Sequence, residues 1–296
     1  MNMEYIYLLF VILLYFPHIL TDKLGSRGTE EKAMLFKYSF FRAIIGVAVG
    51  AVVLIITGNK IQLDLYTVLT ATMFGVMSGL CMPVTFYAMQ VTTVAVTSVF
   101  KAASVIIPCI FGALFFDEAM SFVNVIGFAL FLFAVYLIVS KSQESKVGFG
   151  AKALLACLGV ILTNGFGSIA MQLFGKCVPD GDEAVFMFIG YVVQALVLFI
   201  IHLFYSAKNS TQKAGPISRK MMIYGIIGMV AMFLIQQIMT ALSSGIPASL
   251  LFPVTMGSSV IVSVIVGWLW FKEKMTAKNI IGIVLGIVSL VMINLF

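Results

Sequence analysis

Apolar residues run along this chain in unbroken blocks, and the polar positions gather between the blocks instead of alternating with them. Each block holds about 20 residues, the length at which a helix rising 1.5 Å per residue crosses the hydrocarbon of a bilayer. Ten blocks are legible, at 3–20, 35–57, 66–89, 92–115, 121–140, 151–174, 184–205, 220–241, 248–270 and 277–295. Ten-residue segments of alternating polarity, which would build an outer-membrane barrel, are missing. The pattern predicts an all-α membrane protein with ten transmembrane helices.

The blocks repeat. Sliding the chain by 155 positions brings Phe116 onto Phe271, Glu118 onto Glu273, Asn124 onto Asn279 and Gly127 onto Gly282. Upstream, Ser104 falls on Ser259 and Gly112 on Gly267. An offset of 155 in 296 residues makes this one five-helix unit used twice. An odd number of crossings turns the second copy over, so two inverted five-helix repeats are expected, the internal symmetry of many secondary transporters. Residues 1–140 form the N-terminal repeat, 141–150 the linker and 151–296 the C-terminal repeat.

Composition agrees, since 61% of residues are hydrophobic and only 10% charged. A soluble domain carries roughly a quarter charged residues. The net charge of +6 gathers into no patch dense enough for nucleic acid. It reads as topology instead: Lys23, Arg27, Lys32, Lys37 and Arg42 flank the first loop, and Lys141, Lys146 and Lys152 the fifth. Lys208, Lys213, Arg219 and Lys220 mark the seventh, and Lys272, Lys274 and Lys278 the ninth. Even-numbered loops carry only Lys60 and Lys176. By the positive-inside rule the odd loops are cytoplasmic and both termini extracytoplasmic, in the plasma (inner) membrane. The first block has no basic leader and no small-residue cleavage site, and reads as a retained helix. Four cysteines without CxxC spacing imply neither disulfide nor metal.

Two inverted fives, each closing on an acid, a short linker and an NxxG helix, resemble the EamA-like branch of the drug/metabolite transporter superfamily. The last stretch, from Met256, is also similar to the final helices of small multidrug resistance transporters. There two small residues seven apart form a dimer seam, a spacing matched here by Gly127 and Ala134 and by Gly282 and Ser289. The resemblance implies that the fifth and tenth spans pack on each other, making the monomer an internal pseudo-dimer. It also implies export. That second family keeps an embedded glutamate in its first helix. Here Glu4 and Asp22 fall at the ends of the first block, so that route to proton-coupled cation efflux is not expected.

Candidate chemistry centres on Lys101, deep in the fourth block, where a charge costs ~3 kcal/mol or more. No acid lies at similar depth in any predicted span, so an anionic substrate is the expected partner. The bland alternative is a lysine bonded to carbonyls freed near Pro108. Asn164, Ser168 and Gln172 recur every four residues along one face of the sixth helix. With Gln90, Tyr87, Tyr191 and Gln236 they line a polar cavity or else serve as interhelical glue. Lone His18 reads as interfacial. Pro83, Pro108, Pro247 and Pro253 are expected to interrupt the third, fourth and ninth spans. No HExxH, Walker loop or GxSxG is present, so neither an enzyme nor a cofactor is expected. The expectation is a secondary-active exporter of a small polar, anionic metabolite. The alternatives are an efflux carrier for organic cations or drugs, and a lipid-handling or non-transporting membrane protein.

Overall fold

The computed structural model describes residues 3–58, 64–92, 94–117, 121–139, 151–178, 181–208, 214–272 and 277–295. The repeated loop acids Glu118 and Glu273 and the junction at 141–150 lie outside the described residues. Helices of the first repeat are α1 (Met3–Ser26), α2 (Lys32–Thr57), α3 (Leu65–Val91), α4 (Val94–Ala103), α5 (Ile106–Phe115) and α6 (Phe122–Val139). The second repeat holds α7 (Ala151–Cys177), α8 (Glu183–Lys208), α9 (Arg219–Leu242), α10 (Ala248–Phe271) and α11 (Ala277–Leu295). Seven of these are each long and apolar enough to cross a bilayer. With α4 and α5 as one broken span and the apolar α6 and α11, the chain makes ten crossings in two inverted repeats of five.

Local chemistry sets the helix ends. Asp64 opens α3 by accepting from the amides of Tyr66 and Thr67, Asp182 opens α8 from Ala184 and Val185, and Ser218 opens α9 from Met221. Gly58 ends α2 at φ 65°, its amide reaching back to the carbonyl of Leu54. The first helix overruns its predicted end at residue 20 and continues to Ser26. The polar run Thr21-Asp22-Lys23 could not continue an apolar block facing lipid, but it faces protein: all three are buried.

Prolines matter less than expected. Pro83 and Pro253 sit inside continuous helices, and Pro247 caps the start of α10. Among the described residues only the fourth span breaks. There Ser104 and Val105 form a turn whose amides bond back to the carbonyls of Lys101 and Ala102. Pro108 has no N–H to give the Ser104 carbonyl, and Ile107 supplies one instead at 3.1 Å.

The two repeats interlock, and the packing follows the internal symmetry. Helix α3 lies on α7 as α9 lies on α1, and α3 lies on α8 as α9 lies on α2. Helix α1 meets α10 as α7 meets α4 and α5, while α2 pairs with α8 and α6 with α11. Close approach needs glycine at the α3–α8 crossing, where a Cβ on Gly75 would stand 2.4 Å from the Gly190 carbonyl oxygen. Aromatic stacking fills the core beside it: Phe174 on Phe186, with ring centres 4.4 Å apart, and Tyr191 on Phe233 at 5.1 Å. Outward faces carry Ile55, Phe122 and Phe204, all exposed to what must be lipid.

Candidate functional site

Helices α1 to α4 and α7 to α10 surround a cavity of about 90 Å³ in the middle of the bundle. Its first wall is α1, where Tyr15, His18 and Asp22 fall three and four residues apart and so share one face. Arg42 on α2 reaches this face and donates from Nη1 to Asp22 Oδ1 at 2.5 Å. The guanidinium also lies 5.2 Å from the Phe86 ring, and its Nε–H has no partner among the described residues. His18 Nε2 stands 3.5 Å from Asp22 Oδ2. The other ring nitrogen, Nδ1, faces the Gly228 carbonyl of α9 at 3.2 Å. Gly228 is required there, because a Cβ would come within 2.5 Å of Thr21 Oγ1 and within 3.3 Å of both Arg42 and Asp22.

Lys101 enters from the last turn of α4, one turn short of the break. Among the described residues its ammonium makes no ion pair within 4 Å, although it lies in electrostatic range of Asp22 and His18. A chain of side chains ties its backbone to the opposite repeat. Asn164 Nδ2 donates to Ser104 Oγ at 2.6 Å, and Ser104 Oγ donates to the Lys101 carbonyl at 2.6 Å. Ser168 donates to the Asn164 carbonyl at 3.0 Å. Across the cavity Tyr191 donates its hydroxyl to Gln236 Oε1. Gln194 lines the same space with Oε1 buried and unpartnered among the described residues.

Of the residues singled out from sequence, Lys101, Asn164, Ser168, Tyr191 and Gln236 line this cavity. Three do not. Gln172 is buried one turn beyond, with neither amide atom bonded among the described residues. Gln90 donates to the Thr29 carbonyl and hydroxyl at 2.6 and 3.0 Å, pinning α3 to the turn after α1. Tyr87 packs, half-buried, beside the Leu35, Tyr38, Phe86 and Met221 cluster. On the α6–α11 seam Gly127, Ala134, Gly282 and Ser289 are all buried.

The absence of an acid at the depth of Lys101 was an expectation the structure overturns, because Asp22 lines the same cavity. His18 is likewise buried in the protein and not interfacial. Both errors have one cause, a first helix ended six residues early. Arg42 was also missed, although it lies inside the predicted block 35–57 and was available as a second charge within a span. Among the described residues no group of three metal-ligating side chains occurs.

Among the described residues all the charged groups of the cavity come from the first repeat, whereas the second supplies hydroxyls and amides. Among the described residues the net result is two cations, Arg42 and Lys101, against one carboxylate, with His18 as a titratable neighbour. Such a pocket suits a small polar molecule. Its volume falls well short of the roughly 300–1,000 Å³ of drug-sized sites.

A search of curated proteins finds no match. Among solved structures, one crystal structure superposes with a TM-score of 0.72 over 98% of this chain and 95% of its own, at 13% identity. At that identity the likeness speaks to fold alone. The model of the EamA-like transporter family matches residues 5–140 and again residues 151–295, one match on each five-helix unit. A bundle of ten membrane crossings, duplicated and closed around a polar centre, is thus a member of the EamA-like transporter family.

Proposed function

We propose that this transporter carries a small polar metabolite bearing an anionic group, by secondary-active alternating access between its inverted repeats. The observation that supports this most is the charge balance of the cavity. Arg42 is already matched by Asp22, which leaves the Lys101 ammonium without an ion-pair partner among the described residues. A carboxylate or phosphate on the substrate completes that pair at a depth where an uncompensated charge is costly. Asn164, Tyr191, Gln194 and Gln236 then meet its neutral polar groups. The helices α1–α4 and α7–α10 rock around the bound molecule, while the α6–α11 pair holds the back. The lysine-rich loops face the cytoplasm and both termini face out, in the plasma (inner) membrane. Net movement is export, which rests on the family resemblance.

A thermal-shift screen of the purified protein against amino acids, nucleotides, organic acids and quaternary amines tests the reading. One anionic class is expected to raise the unfolding temperature of wild type and to leave Lys101→Met unmoved. Stabilisation by quaternary amines, equal in wild type and Lys101→Met, would overturn it in favour of an organic-cation carrier.

A further inference from the structure

His18 has a role that anion binding alone leaves unused. The Gly228 carbonyl can only accept a hydrogen bond, so Nδ1 of His18 holds the ring hydrogen. In the neutral ring Nε2 then presents a lone pair, and it presents it to Asp22 Oδ2 at 3.5 Å. Two acceptors face each other across a gap that one proton would turn into a charge-assisted hydrogen bond. The gap is buried, with His18 4% and Asp22 8% exposed, and it borders the cavity.

Every element around it bears on whether that proton is held. On α1 itself stand Tyr15, Asp22 and Lys23, the last turned away over the Phe271 ring at 3.9 Å. From α2 come Arg42 and Tyr38, from α3 Cys81, from α4 Lys101 and from α8 Tyr191. Among the described residues α9 and α10 bring no titratable side chain to the cavity, only the Gly228 carbonyl and neutral groups. In the empty cavity Arg42 and Lys101 already exceed Asp22 by one positive charge. A proton on His18 would make that excess two. A monoanion seated at Lys101 cancels one of them, and the protonated, loaded cavity returns to the same excess as the empty one.

We propose that the His18–Asp22 gap is a proton-binding site, filled when an anion binds at Lys101, so that proton and anionic substrate leave together, export then running down the outward gradient of the substrate. This rests on the anion reading above and adds the coupling ion to it. Linkage fixes the sign: if each anion brings one proton, apparent affinity falls by about tenfold per pH unit wherever the empty site is deprotonated. The same linkage requires that anion binding itself take up protons from solution.

The test uses purified full-length protein, with lactate, pyruvate and benzoate, which stay monoanions across the range, as probes. Binding is followed by thermal shift between about pH 5 and 8, the range in which histidine exchanges its proton. Proton uptake on mixing is read with a pH indicator in weak buffer. Wild type is expected to take up close to one proton per anion bound and to bind progressively more weakly as pH rises. His18→Gln, whose amide can still donate to Gly228, is expected to bind the same probe with a flat pH profile and no proton uptake. Asp22→Glu, which keeps the carboxylate, is expected to preserve coupling. Binding by wild type without proton uptake, or an unchanged pH dependence in His18→Gln, overturns the proton site and leaves the anion site standing. Failure of all three probes to stabilise wild type at any pH in the range overturns both.

Discussion

At the scale of single residues, the cavity depends on a buried pair. Arg42 is 2% exposed and Asp22 8%, and each is the other's principal partner. Removing one member strands a charge away from water, at a typical cost of about 3–5 kcal/mol, whereas removing both leaves little to satisfy. Arg42→Met is therefore expected to lower the unfolding temperature markedly, and Asp22→Asn in the same chain to recover much of the loss. Thermal unfolding of the two singles and the double checks this, and equal stability of Arg42→Met and wild type would show that the pair carries no structural weight. The same residues mark where sequence reading stopped. Lys101 was legible because one charge stood in an otherwise apolar block, with no other charged residue near it in sequence. Asp22 was not, because its neighbours Thr21 and Lys23 made the stretch look like a helix end exposed to water. Only tertiary packing shows that these three residues are buried.

Among the helices, two features divide what periodicity can and cannot predict. The α6–α11 seam was implied by the resemblance to small multidrug resistance transporters, whose pair of small residues seven apart is matched in both copies. Ala134 there is fully buried, and a Cβ added to Gly286 would lie 3.9 Å from its own Cβ. Ala134→Leu adds bulk where the helices meet and is expected to cost about 1–3 kcal/mol, visible as a lower unfolding temperature. Phe133→Leu, one position away on the exposed side, is the control and should be close to neutral. The break between α4 and α5 is the opposite case. Four prolines looked alike in sequence, yet only the span with Pro108 opens, because Ser104 and Asn164 supply the polar contacts that hold a turn there. Pro83 and Pro253 have no comparable turn beside them and leave their helices continuous.

For the whole molecule, the duplication was the most legible property of all, since it is written as a fixed offset between two strings of residues. Its handedness follows from counting to five. Which side each face occupies rests on the lysine bias, and the cysteines allow a check. Cys177 is exposed at the end of α7, while Cys109 and Cys157 are buried and Cys81 borders the cavity. Lys220 is exposed at the opposite end, after the chain has crossed again through α8. A membrane-impermeant maleimide is expected to label Cys177 in intact cells. A cysteine introduced as Lys220→Cys in a Cys177→Ser background should react only after permeabilisation. The reverse pattern would invert the assignment of both termini without disturbing the fold.

Duplication usually leaves two equivalent walls, and a cargo between equivalent walls can sit either way round. Here the walls differ: among the described residues every charged side chain of the cavity is drawn from one copy, and the polar groups from the other are neutral. On the reading proposed above, a molecule with a single ionic end would therefore have a head and a tail position in the cavity. Its ionic end would then be held at one wall only, where a pocket lined identically on both sides would hold that end at either.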